Sequence, residues 1–203
     1  MSNRLTGFCC SDCSNNGSTV LFLLDRGKNV GEDNIKHQIE FIISVASSIS
    51  IADVAVISYA TDADIVIRPG QASNLTEFSE TLRGANYSMG YMKNLGAALR
   101  KAQEIEEIYN HSKPAVVVVM IMGKSNDEEA PYAAKLKQRS VTLLAVPLDN
   151  NYNPAEMNLL ASNPPSDHIL VTDVSNLKHF VSRTRDAVCK GTCDMWQDRI
   201  TFH

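Results

Sequence analysis

Side chains able to do chemistry gather where the apolar runs of this sequence end. The run Thr19-Val20-Leu21-Phe22-Leu23-Leu24 gives way to Asp25-Arg26-Gly27-Lys28-Asn29, which holds a carboxylate, two cations and an amide. The run Ala115-Val116-Val117-Val118-Val119-Met120-Ile121-Met122 gives way to Gly123-Lys124-Ser125-Asn126-Asp127-Glu128. Such clusters suit ion pairing and recognition of charged partners. Catalysis finds less support. A phosphate-binding loop ending in Gly123-Lys124-Ser125 needs a further glycine where Val118 stands, and Gly27 with Gly31 lacks the Gly-x-Gly-x-x-Gly order of dinucleotide sites. There is no Gly-x-Ser-x-Gly elbow and no His-Glu-x-x-His pair, and His37, His111, His168, His179 and His203 are scattered. Asp62 and Asp64 fall in a turn, where acidic residues serve solvation. The residues point to a chain that is not an enzyme.

The cysteines lie at the two ends. Cys9, Cys10 and Cys13 precede the first apolar run, Cys189 and Cys193 follow the last helical pattern, and residues 14–188 contain none. This placement predicts disulfides that staple the flanks in an oxidising compartment, with one thiol of the five left over or shared with a second chain. The alternatives are reduced thiols in a cytosolic protein and a zinc site from Cys10-x-x-Cys13 with Cys189-x-x-x-Cys193. Asn16, Asn74, Asn86 and Asn110 each open an Asn-x-Ser/Thr sequon, a further hint of secretion and of glycosylation.

Such residues need a frame, and 203 residues suit one core with short appendages. Nineteen Lys+Arg against 23 Asp+Glu give a formal charge of -4, without the basic stripe that nucleic acid requires. No apolar stretch is long enough to span a membrane. Met1–Gly7 lacks the apolar core of a signal peptide, as expected of a mature form whose export signal has been removed.

Strands are predicted over 19–24, 53–59, 64–67, 115–122, 141–147 and 168–172, the fourth apolar throughout and therefore central. Helices are predicted over 34–49, 74–82, 94–109, 127–139, 154–161 and 175–188. In the first, Ile35, Ile39, Ile42, Ile43 and Ala46 share a face, with Glu32, Asp33 and Asn34 supplying acidic and capping groups. Alternation of this kind gives an α/β fold, a doubly wound and mostly parallel sheet with helices on both faces. Ligands of such sheets bind beyond the carboxyl ends of the strands, here in loops 25–33, 60–63, 83–94, 122–127 and 147–153.

In this order the segments Val20–Asp25, Val30-Gly31, Val54-Ala55-Val56-Ile57-Ser58-Tyr59, Asn94-Leu95-Gly96-Ala97-Ala98-Leu99 and Gly123–Glu128 resemble a von Willebrand factor type A domain. The likeness covers residues 18–188, leaving cysteine-containing flanks over 1–17 and 189–203, and is nearest to the A domains of type VI collagen α chains and related matrix proteins. It implies the doubly wound fold, secretion to the extracellular matrix, and binding or assembly there with collagen or another matrix protein. The family holds magnesium through a first-loop aspartate and two serines, a threonine and a second aspartate. Those positions are here Asp25, Gly27, Asn29, Lys93 and Met122, so the metal-ion-dependent adhesion site reads as degenerate and no cofactor is expected.

On that mapping Lys93 faces Asp25 and neutralises it, either as a purely structural ion pair or as part of a cationic patch with Arg26, Lys28 and Lys124 that receives an acidic side chain or a sulfated sugar. Asp25, Arg26, Lys28, Asn29, Lys93, Asn94 and Lys124 are the candidate partner-binding residues. One alternative is a weakened metal site built from Asp25, Asn29 and Asn94. Another is a ligand-free spacer, joined by its terminal cysteines to neighbouring modules or to copies of itself. Tyr87, Met89, Tyr91 and Met92 suit either an interface or collapse over the empty metal cavity. Trp196 in the tail suits either a contact or packing on the domain.

Overall fold

The computed structural model describes residues 18–105 and 114–189. Five strands form one sheet: β1 (Thr19–Asp25), β2 (Val54–Tyr59), β3 (Ala63–Ile67), β4 (Ala115–Ile121) and β5 (Val141–Pro147), in the order β3-β2-β1-β4-β5. Only β3 is antiparallel, paired to β2 across a short turn. β1, β2, β4 and β5 are buried along their whole length because helices cover both faces, which explains their mainly apolar composition, unbroken in β4.

Side chains alternate between the two faces. Val20, Phe22 and Leu24 of β1 point to one core with Ile35, Ile39 and Ile42 of α1 (Glu32–Ala46), closed by the 3₁₀ segment Val174–Phe180. Leu21 and Leu23 point to the other, against α3 (Leu95–Ala102), α4 (Ala130–Gln138) and α5 (Pro154–Leu160). The helix α2 (Leu75–Gly84) adds Phe78 and Leu82 to the first core. Among the described residues no helix is long and apolar enough to cross a membrane.

Three expectations are corrected. The strand predicted over 168–172 is reduced to a single bridge, Ile169 with Ala145, because Pro164-Pro165 turns the chain into the short helix α6 (Pro165–His168). The helix predicted over 175–188 begins as the 3₁₀ segment and becomes α-helical only over 181–189. At the start of α1 the cap position is Gly31, with φ 80° and no side-chain cap bond, while Asn34 lies inside the first turn and donates to the Val30 carbonyl at 2.7 Å.

Strand order reverses between β1 and β4, so the crevice of a doubly wound sheet opens at Asp25 and Met122.

Candidate functional site

Asp25 closes β1 and is fully buried. Its Oδ1 accepts from Gly27 N at 2.8 Å and its Oδ2 from Met122 N at 2.9 Å, so one carboxylate ties the end of β1 to the end of β4. Gln38, buried on the apolar face of α1, holds the backbone of the same residue. It accepts from Asp25 N at 3.0 Å and donates to Asp25 O at 2.8 Å. Gln38 escaped the sequence reading, although a lone amide on an apolar helical face was the available signal.

Lys93 completes the arrangement. Its Nζ lies 3.2 Å from Asp25 Oδ2 and donates to the Met122 carbonyl, with the side chain only 8% exposed. Burial pushes the Asp25 carboxyl above its usual range, while Lys93 and the N–H groups of Met122 and Gly27 pull it back. Beneath it, the buried Tyr59 hydroxyl donates to Met120 O at 2.7 Å, and burial with the nearby Asp25 charge raises that phenol. A Cβ added at Gly27 would stand 3.0 Å from Asp25 Oδ1, Lys93 Cβ and Met92 O, so a side chain here competes with Lys93 for space.

These residues do not fit a magnesium ion. That ion takes hard oxygen ligands in near-octahedral array at about 2.0–2.1 Å. Here both oxygens of Asp25 already accept hydrogen bonds, an ammonium lies against one of them, and the position of the second aspartate carries the thioether of Met122.

The remaining candidates separate. Arg26 is a correction, since it is buried rather than displayed. Its Nη2 pairs with Asp64 Oδ2 at 2.6 Å, Nη1 donates to Ser88 O at 2.7 Å and Nε to Ser58 Oγ at 3.3 Å. Asp64 therefore serves Arg26 as well as solvation. Lys28, Asn29 and Lys124 are exposed, Asn29 in a turn at φ 72°. Asn94 directs Nδ2 to Thr61 O at 2.9 Å and makes no side-chain cap to α3. That cap comes from across the crevice: Asp127 accepts from Gly96 N at 2.7 Å and Ala97 N at 2.8 Å. Glu129, buried at the start of α4, has its carboxyl pushed up by burial and then by Glu156, Asp127 and Glu128.

The segment 85–94 does not collapse into the crevice. Tyr87 tucks inward with its hydroxyl on Leu82 O at 2.6 Å, but Met89 is 54%, Tyr91 87% and Met92 41% exposed. The backbone beneath them is pinned. Gly90 N donates to Arg26 O at 3.3 Å, and a Cβ there would meet Ala60 Cβ at 2.5 Å. Lys93 N donates to Asn126 Oδ1, and Asn126 N returns to Lys93 O, each at 2.8 Å. The result is a firmly held apolar ridge beside a buried ion pair.

Cys189 is disulfide-bonded. Cys9, Cys10, Cys13 and Cys193, the sequons at Asn16 and Asn110, and the tail with Trp196 lie outside the described residues.

A family model described as von Willebrand factor type A domain matches residues 19–183. Cuticlin-6 of Caenorhabditis elegans is 26% identical over 152 residues, covering 71% of this chain and 26% of its own. Matrilin-2 of Mus musculus is 25% identical over 194 residues, covering 90% of this chain and 20% of its own. The chain thus spans about a quarter or less of these two relatives, and type VI collagen α chains are also among the curated proteins it matches. The solved structure of proximal thread matrix protein 1 from the mussel byssus superposes with TM-score 0.79 at 18% identity, covering 88% of this chain and 48% of that one.

Proposed function

The chain belongs to the von Willebrand factor type A family, its relatives are secreted proteins of the extracellular matrix, and from that premise we propose a non-enzymatic adhesion or assembly module that works without a metal ion. The observation that carries this reading is the Lys93 ammonium between Asp25 Oδ2 and the Met122 carbonyl, where a family member would place its ion. With the charge of Asp25 already balanced, a partner is not recruited by completing a coordination shell. The contact surface is the loop end of the sheet, where the exposed Met89, Tyr91 and Met92 share the strand-end loops with the exposed Lys28 and Lys124. Exposed aromatic and methionine side chains on a fixed backbone suit a protein interface, since little ordering is lost on contact. The partner class is a matrix protein, collagen first among those to test.

The deciding experiment is solid-phase binding to immobilised matrix proteins, with fibrillar collagen in the panel, in magnesium and in a chelator. Equal binding in both, reduced by Tyr91→Ala by roughly the 2 kcal/mol of an interface anchor, is the expected outcome. Binding abolished by the chelator restores the metal site of Asp25, Asn29 and Asn94. A folded protein that binds no member of the panel favours the spacer.

A further inference from the structure

The sequon Asn86-Tyr87-Ser88 has no part in the loop-end reading, and its geometry differs from that of Asn74-Leu75-Thr76. Asn74 has its carboxamide engaged on both sides. Oδ1 accepts from Glu77 N at 3.0 Å as the cap of α2, and Nδ2 donates to Ser73 Oγ at 3.3 Å. Asn86 is exposed, its Oδ1 accepts from the Ser88 hydroxyl at 3.0 Å, and its Nδ2 donates to no group among the described residues. Asn86 also lines a groove of about 430 Å³ between α1 and the segment that follows α2. Ile35, Ile39 and Tyr87 give that groove an apolar side, and Glu32, Lys36 and Arg83 give it a polar one.

We infer that Asn86 carries an N-linked oligosaccharide whose first sugar lies in this groove. In the transfer, Nδ2 bonds to the anomeric carbon of a lipid-pyrophosphate-linked oligosaccharide. The bond from that carbon to the pyrophosphate oxygen breaks, the lipid pyrophosphate departs with its electron pair, and one amide proton is released. Attachment at Asn86 sacrifices no hydrogen bond among the described residues, because Nδ2 makes none there and Oδ1 still accepts from Ser88. A pyranose has an apolar ring face and a rim of hydroxyls, and the groove offers a matching surface to each. The inference rests on the secreted setting, and the groove adjoins the loop-end ridge at Met89, which lines it.

The test uses the full chain secreted from eukaryotic cells, digested after peptide-N-glycosidase F treatment in ¹⁸O-labelled water. The expected result is a labelled aspartate at position 86, absent from Asn86→Gln and Ser88→Ala and retained in Ser88→Thr. An unlabelled position 86 in the secreted wild type overturns the site. Hydrogen exchange before and after removal of the glycan tests the groove, with faster exchange expected in residues 32–39 and 83–89 once the sugar is gone. A labelled Asn86 with unchanged exchange in both segments overturns the placement. Matrix binding measured on the same samples reports separately on the loop end.

Discussion

Removing Lys93 asks what a buried carboxylate costs once its counter-ion is gone. Lys93→Met keeps the length of the side chain and loses the charge, so Asp25 remains buried with only the N–H groups of Gly27 and Met122. Unpartnered buried charges of this kind cost about 3–5 kcal/mol, and urea unfolding should show a loss of that size, narrowed when Asp25→Asn is added. A loss below about 1 kcal/mol would mean that the pair behaves as a solvated one. Glu129 gives the pH dependence. Burial and neighbouring carboxylates raise its pKa in the folded state above the ordinary 4.5, so the folded protein holds this proton more tightly than the unfolded chain does. Its contribution is fully present below the unfolded value and is lost as pH rises through the folded one. Glu129→Gln should therefore gain stability relative to wild type as pH rises from acid to neutral, read by thermal unfolding at both ends. A constant offset at all pH values would contradict the assignment.

At the scale of elements, α3 depends on a cap thirty residues away in sequence. Asp127→Ala strips the acceptors from Gly96 N and Ala97 N and should cost about 1–2 kcal/mol in urea unfolding, with Asp127→Asn closer to wild type. Equal losses for the two would point to charge rather than capping. Such a bond is invisible to local patterns. Asp127 reads as the start of a helix in sequence, whereas α4 begins only at Ala130 and the carboxylate serves α3 instead. What could be read was periodicity. The unbroken apolar run of β4 placed it inside the sheet, and the spacing of Ile35, Ile39 and Ile42 placed the buried face of α1. The family likeness, borne out by the match over 19–183, supplied the arrangement of the whole. Arg26 was misread because a loop arginine is by default a solvated one, and only the folded chain brings Asp64, Ser88 and Ser58 around it. The failed strand at 168–172 kept the alternation of a strand but followed two prolines that set a helical turn, leaving Val171 40% exposed.

For the molecule as a whole, the proposed replacement of an ion by a tethered ammonium makes a thermodynamic claim. Titration of Mg²⁺, Mn²⁺ and Ca²⁺ should give neither saturable heat nor a shift in Tm, whereas an ion that prefers the folded state would raise Tm as its concentration grows. A saturable isotherm with such a rise would restore the metal-dependent reading. The position of β1 has a different consequence, which concerns time. Its first pairing partner, β2, is close at hand, with Val20 opposite Val54, but its other edge waits for Val116 of β4. At about 5–20 residues per second, synthesis needs roughly 5–20 s to bridge that interval. For that period the run Thr19–Leu24, among the most apolar in the chain, has one edge without its native neighbour and lacks half of its covering helices. The nascent protein is thus most vulnerable to misassembly, and most in need of a chaperone, before β4 has been made.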